Sequence, residues 1–224
     1  LSLNKEFSDA VPTAGVAKMG INYKLAINPT FWDNLEMNVK EGVLQHELLH
    51  IAFFHLYLHD TYSDKELYNV AADMEINQYI ERKNLPEDGI FIENYSELNL
   101  DEKAGSDYYY KALQKAQNQK NKNGSCGCKG MDELLDKIEN GEPMPCDHPT
   151  WKDFEALSDA EKQLLKRQTT HLIKDVENSL KGRGTIPGKI AELIEMMKDI
   201  PPKFDWRQYL RRFTGGSIIP YTKK

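Results

Sequence analysis

Five consecutive residues, His46-Glu47-Leu48-Leu49-His50, carry the groups best suited to chemistry in this chain. A helix turns about 100° per residue, so His46 and His50 lie on the same face. Both imidazoles can then bind one divalent metal, and the Glu47 carboxylate can reach a water on that metal. Zinc lowers the pKa of such a water to about 7, and a glutamate can take its proton as the water attacks a carbonyl. The motif therefore predicts a catalytic zinc site.

The motif lies in an apolar run, Val43 to Leu58, that predicts a buried helix. Burying a glutamate beside two histidines is costly unless something compensates it, which favours a metal over two histidines that only hydrogen-bond in a core. Two further histidines follow, but on a continuous helix His55 lies roughly 180° from His46 and His59 roughly 140°. We therefore expect both to be polar edges at the helix end rather than ligands.

The next helix is the better source of a third ligand. The capping box Ser63-Asp64-Lys65-Glu66 predicts a helix from about residue 64 to about residue 83. On its helical wheel Asp73 lies among apolar residues, whereas Glu75 lies on a face that looks solvated. This favours Asp73 over Glu75 as the ligand. The alternative is that Asp73 only hydrogen-bonds to a histidine or to the backbone.

Two asparagines flank Asp73 one turn away on either side, Asn69 and Asn77. Metal ligands are usually held in place by hydrogen bonds from neighbouring polar groups. We therefore expect both amides to orient the ligands.

Four segments in this chain order resemble a known family: Val11-Pro12-Thr13-Ala14-Gly15-Val16, Ala26-Ile27-Asn28-Pro29-Thr30-Phe31, the His46–His50 motif, and residues 68–77. The chain is similar to a bacterial and phage family of zinc metallopeptidases that carry a von Willebrand factor A-like domain downstream. The resemblance implies a zincin-like domain over residues 1–224, with the von Willebrand factor A-like domain absent from this chain. It also implies a MoxR-type AAA+ ATPase as a partner.

Composition restricts the class of protein. The chain has 224 residues, is 40% hydrophobic and has a net charge of −6, so it can bury one substantial core and is not expected to act mainly on nucleic acid. It contains no run of 18 apolar residues, so we expect no membrane-spanning helix. Three cysteines make no even disulfide set, which favours a cytoplasmic location. Because the sequence starts at Leu1, a preceding targeting segment stays open.

The cysteines give a second, weaker metal signal. Cys126, Cys128, Cys146 and His148 form a set that can bind a structural zinc. They lie in a polar insertion, residues 115–150, that a zinc ion would help to order. The alternative is three reduced thiols on a polar loop. Asp147-His148 also matches the family resemblance, which leaves the assignment of His148 open.

These patterns predict an α+β fold, mostly helical, with a small N-terminal β-sheet. Residues 16–28 alternate as short strands, and a strand before the active helix is expected at a sheet edge, where an extended peptide can pair. Further helices are expected at residues 106–118, 131–139 and 158–181, from Pro187, and at 205–213.

The function predicted is zinc-dependent hydrolysis of peptide bonds in a protein or peptide substrate. Zinc is bound by His46, His50 and Asp73, and Glu47 activates the water. The alternative is a zinc-stabilised adaptor that works with the AAA+ ATPase or with the missing domain. A third possibility is that the chain cleaves only itself.

Overall fold

The computed structural model describes residues 4–19, 22–142, 144 and 148–181. The chain divides into two compact units, Leu1–Ala156 and Leu157–Lys224. The helices predicted from Pro187 and at 205–213 lie outside the described residues, as does Cys146. The candidate site lies within the first unit.

The first unit opens with a three-stranded sheet formed by strands β1 (Asn4–Phe7), β2 (Ala14–Met19) and β3 (Asn22–Ile27). The strand order is β1-β3-β2, with β1 parallel and β2 antiparallel to β3. The expectation that the strand before the active helix lies at a sheet edge is wrong. Because β1 pairs with β3 on the side away from β2, β3 is the central strand and β2 is an edge.

Helices account for most of the remaining described chain, which confirms the predicted α+β fold with a small N-terminal sheet. They are α1 (Pro29–Asp33), α2 (Met37–Ala52), α3 (His55–Leu58), α4 (Lys65–Ile76), α5 (Ser106–Asn123), α6 (Lys129–Asn140), α7 (Lys152–Glu155) and α8 (Asp159–Lys181). Short 3₁₀ turns connect several of them, at His59–Thr61, Asn77–Tyr79, Arg82–Asn84, Ile92–Leu98 and Pro149–Trp151.

Helix α2, which carries the motif, packs on the sheet. Leu25 and Ile27 of β3 and Val43 of α2 are buried in one apolar cluster, with Phe31 and Trp32 of α1 against it. Burial of an aliphatic side chain of this size stabilises the fold by about 1.5–3 kcal/mol. These contacts therefore hold α2 against the sheet next to the His46–His50 motif.

The apolar run that includes the motif is not one helix. Helix α2 ends at Ala52, and α3 begins at His55 after Phe54 adopts a left-handed conformation with φ 62°. The prediction of a continuous helix to Leu58 is therefore wrong. No glycine marks the break, and a left-handed residue with a side chain costs roughly 1–2 kcal/mol. Phe54 is buried, so packing of its ring offsets that cost.

Helix α4 starts where the sequence predicts, but its N-cap is Asp64, whose side chain accepts a hydrogen bond from Leu67 N at 2.9 Å. It ends at Ile76 rather than near residue 83. All ten residues from Leu67 to Ile76 are buried. The expectation that the Glu75 face is solvated is therefore wrong, because α5 covers this side of the helix.

The segment 115–150 is mostly helical rather than a polar loop. Helix α5 continues to Asn123, and α6, which the sequence predicts, is amphipathic with Met131, Leu134 and Leu135 buried. The apolar face of α6 supplies core residues that the polar composition of the segment conceals. In the second unit, Ser158 and Glu161 form the predicted capping box of α8, with Ser158 N donating to Glu161 Oε2 at 2.9 Å.

Among the described residues, no helix is long and apolar enough to cross a membrane. The cytoplasmic location expected from the cysteines stays a prediction.

Candidate metal centre

Four potential ligands converge on one point in the first unit. Helix α2 contributes His46 and His50, α4 contributes Asp73, and the residue before the Pro149–Trp151 turn is His148. One donor atom from each side chain lies within 4.8 Å of the others. The structure therefore brings together the three predicted ligands and adds a fourth.

The donor separations are short. His46 Nε2 is 3.0 Å from His50 Nε2. Asp73 Oδ1 is 3.6 Å from His46 Nε2, 3.2 Å from His50 Nε2 and 3.3 Å from His148 Nε2. Ligands at zinc–nitrogen distances of about 2.0–2.1 Å around a tetrahedral ion would be about 3.3 Å apart. The four donors thus have the spacing that a small divalent cation requires.

An asparagine fixes the orientation of the His46 ring. Asn77 Nδ2 donates to the backbone oxygen of Ile90 at 2.7 Å, so Asn77 Oδ1 faces His46 Nδ1, at 2.8 Å. An amide oxygen only accepts, so His46 Nδ1 carries the proton. In the neutral ring the lone pair of His46 is then on Nε2, which faces Asp73. Asn77 thus hydrogen-bonds to one of the candidate ligands.

The centre of the cluster is almost fully buried. Burial lowers the pKa of His50 well below its ordinary value, and the neighbouring His148 and His46 add to this effect. Burial acts to raise the pKa of Asp73, but the surrounding imidazoles outweigh it and hold that pKa well below its ordinary value. The favoured arrangement is therefore a neutral His50 beside an ionised Asp73, as metal ligation requires.

His148 is held by its neighbours in the turn that follows it. Its ring stacks on Trp151, with centroids 4.2 Å apart and planes within 5°. Thr150 Oγ1 donates to the backbone oxygen of Val16 in β2 at 2.6 Å, which ties the turn to the sheet. The sequence pointed to His148 through the Asp147-His148 resemblance and the cysteine set, but gave no means of bringing it to Asp73.

The grouping of His148 with the cysteines is corrected, because its Nε2 points at Asp73. Cys126 and Cys128 are buried free thiols, and Cys128 Sγ donates to Glu97 Oε2 at 3.3 Å. With Cys146 outside the described residues, the second zinc site is left with two described thiols and stays a prediction.

His55 is a buried residue rather than a polar helix edge. Its Nδ1 is 3.0 Å from His50 Nδ1, and its Nε2 is 3.1 Å from Glu75 Oε2, which also accepts from Ser106 N at 2.6 Å. Burial acts to raise the pKa of Glu75, but the bonds from His55 and Ser106 hold it below its ordinary value. Sequence reasoning missed this contact because it assumed a continuous helix; the one available signal was the presence of two more histidines within nine residues of the motif.

His59 is also buried, and it belongs to a second group of potential ligands with Asp60 and Glu155. The Lys65 ammonium lies 3.5 Å from Asp60 Oδ1 and in direct contact with Glu155 Oε1. This cation already compensates both carboxylates, which makes the group an ion-pair network rather than a metal site.

Glu47, the predicted base, lies beside the cluster but is not one of its four members. It is buried, and its Oε2 accepts from Val16 N of β2 at 2.9 Å. It lines a cavity of about 90 Å³ together with His46, Asp73 and His148. The other walls of this cleft are largely apolar and are formed by Thr13, Ala14, Phe31, Val43, Asn77, Leu85, Pro86, Asp88 and Gly89.

No hydrogen bond joins the Asn69 side chain to the cluster among the described residues. The side chain is buried and lines a polar pocket near the start of α4 that His148 also lines. Its Oδ1 has no hydrogen-bond partner within the described part of the chain. Of the two flanking asparagines, Asn77 is the one that hydrogen-bonds to a candidate ligand within the described residues.

Comparison with known families places the chain. Residues 3–217 match the model of a family described as a putative metallopeptidase domain. The chain belongs to this family. The match agrees with the metallopeptidase part of the resemblance seen in the sequence. It does not show the downstream von Willebrand factor A-like domain. Neither a curated protein nor a solved structure matches the chain significantly.

Proposed function

We propose that this metallopeptidase-family domain binds zinc through His46, His50 and Asp73 and hydrolyses peptide bonds, with Glu47 as the general base. One observation carries the proposal. Asn77 leaves the lone pair of His46 Nε2 facing His50 Nε2 at 3.0 Å and the Asp73 carboxylate at 3.6 Å. The lone pair of His46 and the Asp73 carboxylate repel each other at this separation unless a cation lies between them, and the same holds for His50 Nε2 when the proton of its neutral ring is on Nδ1.

Zinc fits the donor set better than magnesium or calcium. Imidazole nitrogens with a single carboxylate are typical zinc ligands, whereas magnesium and calcium prefer oxygen ligands. A bound zinc ion acts as a Lewis acid that acidifies a water and polarises a carbonyl.

The position of Glu47 supports a role in moving the proton in such a reaction. Its Oε2 is held by Val16 N, which fixes the carboxylate at the wall of the cleft. From there it can accept a proton from a water at the ligand cluster and transfer it to the leaving amine. The apolar cleft walls favour a protein or peptide substrate that inserts an apolar side chain.

The test compares wild type, Glu47→Gln and a chelated sample with casein and a peptide library. Zinc content is measured on each protein by elemental analysis. We expect wild type to cleave, and Glu47→Gln to keep its zinc but lose at least 100-fold in rate, the usual size of a general-base contribution. Zinc-loaded wild type that cleaves nothing, or a mutant as active as wild type, would contradict the proposal.

A second function, the zinc-stabilised adaptor for an AAA+ ATPase, is favoured by His148. Four protein donors close a tetrahedral site, as in structural zinc centres, whereas catalytic sites use three and keep one position for water. His148→Ala separates the two functions. If the domain is an adaptor, the variant loses zinc affinity without any catalytic effect, because wild type has no activity to lose. If the domain is a hydrolase, the variant retains a three-ligand site.

A further inference from the structure

A chain of hydrogen bonds runs from the candidate ligand His50 away from the metal centre. His50 Nδ1 contacts His55 Nδ1 at 3.0 Å, and His55 Nε2 contacts Glu75 Oε2 at 3.1 Å. The same oxygen accepts from Ser106 N, the first residue of α5, at 2.6 Å. The three side chains are buried, and we refer to them as the His50–His55–Glu75 relay.

The direction of each bond follows from its chemistry. A carboxylate oxygen only accepts, so His55 must donate to Glu75 from Nε2. When both rings are neutral each has one N–H, so His55 Nδ1 carries the lone pair and His50 Nδ1 donates to it. The lone pair of His50 is thereby on Nε2, which is the atom that faces Asp73.

We propose that His55, anchored by Glu75, is a positioning residue that holds the His50 ring and its tautomer in the state that binds metal. The inference rests on the proposed metal site. It adds a histidine to the support of that site, where a carboxylate or a backbone carbonyl is the more usual partner of a ligand imidazole.

The break in the helix makes this contact possible. On a continuous helix His55 would lie about 140° around the axis from His50, too far for a ring-to-ring hydrogen bond. Phe54, with φ 62°, turns the chain so that His55 returns beneath His50. Backbone strain of this kind is commonly found next to functional groups.

A purely structural His55 would affect folding without affecting metal binding. Three variants of the full chain separate the two roles: His55→Asn, His55→Gln and the control His59→Gln. Asparagine places an oxygen near the position of Nδ1 and can still accept from His50. Glutamine extends toward Glu75 and leaves His50 Nδ1 without its acceptor. His59 is equally buried but lies outside the relay.

The zinc dissociation constant is measured by competition with a chelator of known affinity, alongside the melting temperature of each metal-free protein. We expect His55→Gln to weaken zinc binding 10- to 100-fold. We expect His55→Asn to remain closer to wild type than to His55→Gln, and His59→Gln to match wild type. Zinc affinity equal in all variants, or asparagine no better than glutamine, would overturn the inference.

A second measurement uses only the wild-type protein, so it does not depend on whether a variant folds. Long-range ¹H–¹⁵N spectra of the zinc-loaded wild type should show His50 protonated on Nδ1 and His55 on Nε2. A proton on His55 Nδ1 would overturn the relay while leaving the metal site intact. Wild type that binds no zinc would overturn the proposed function, and the relay with it.

Discussion

Two asparagines at the same spacing from Asp73 have different roles. Asn77 bridges the Ile90 carbonyl and His46, so it links a candidate ligand to the backbone of the following segment. Asn69 is equally buried, but its Oδ1 has no partner among the described residues. Position on the helical wheel alone does not distinguish them.

This difference predicts that the same substitution has an effect at Asn77 and none at Asn69. Asn77→Leu should weaken zinc binding 10- to 100-fold, because the His46 ring loses the acceptor that fixes its tautomer. It should also lower the free energy of unfolding by about 1–3 kcal/mol, because the Ile90 carbonyl loses its buried donor.

Asn69→Leu is the matched control. It removes a buried acceptor without a partner, so neither zinc affinity nor the free energy of unfolding should fall. Both quantities can be followed by chelator competition and urea titration. Equal effects from the two leucine variants would show that Asn77 does not hold a ligand.

The residues that the sequence could predict are those whose position depends on local periodicity. His46, Glu47, His50 and Asp73 lie on helices that the sequence predicts. The structure brings the two histidines and Asp73 together, and Glu47 lines the cleft beside them. The contact made by His148 depends on tertiary packing of a turn against β2, which no periodic pattern encodes. Asp73 faces the histidine cluster, whereas Glu75 bonds to Ser106 at the start of α5, so both carboxylates are buried but in different surroundings.

At the scale of elements, one close approach forms part of the cleft wall. A Cβ on Gly42 of α2 would lie 1.7 Å from the backbone oxygen of Asn84. Asn38 Nδ2, on the same helix, donates to the backbone oxygen of Lys83 at 3.0 Å. These two contacts clamp the Arg82–Asn84 turn to α2. Leu85 and Pro86, which follow the turn, line the cleft.

Gly42→Ala should therefore destabilise the fold. At an open helical position this change stabilises by about 1 kcal/mol, because alanine is the better helix former. Here the backbone must move apart, so we expect a loss of about 1–3 kcal/mol in the free energy of unfolding, measured by urea titration. Gln45→Ala, at an exposed position on α2, should change it by less than about 0.5 kcal/mol. A stabilised Gly42→Ala variant would mean that α2 and the turn are not in contact.

The break between α2 and α3 shows where sequence reasoning fails at this scale. Residues 51–54, Ile-Ala-Phe-Phe, contain neither glycine nor proline, so no local signal ends the helix. Burial of Phe54 and the bonds made by His55 favour the turn instead. Both are tertiary contacts, visible only once α4 and α5 are in place.

For the first unit as a whole, the ligand cluster joins segments far apart in the chain. Its members come from α2, from α4 and from the residue before the Pro149–Trp151 turn. A cation bound there links all three, and binding to the folded state alone stabilises it by about 2.7 kcal/mol at a free ligand concentration 100 times Kd.

Removal of metal should lower the melting temperature by about 5–10 °C, given typical entropies of unfolding for domains of 150–250 residues. The measurement is thermal unfolding with zinc and with chelator. Glu47→Gln should keep this shift, whereas the double variant His46→Ala, His50→Ala should lose it. A melting temperature that is independent of chelator in wild type would contradict metal binding at this site.

The hydrogen bonds of Val16 also constrain anything that approaches β2 from outside the sheet. Its N–H is taken by Glu47 and its C=O already accepts from Thr150, so this residue has no N–H left to donate to an incoming strand. Two residues earlier, Ala14 points the same way by the two-residue alternation of an antiparallel pair, and it lines the cleft. A backbone docking along β2 could therefore align with it only as far as Ala14 and would have to turn away before reaching Val16.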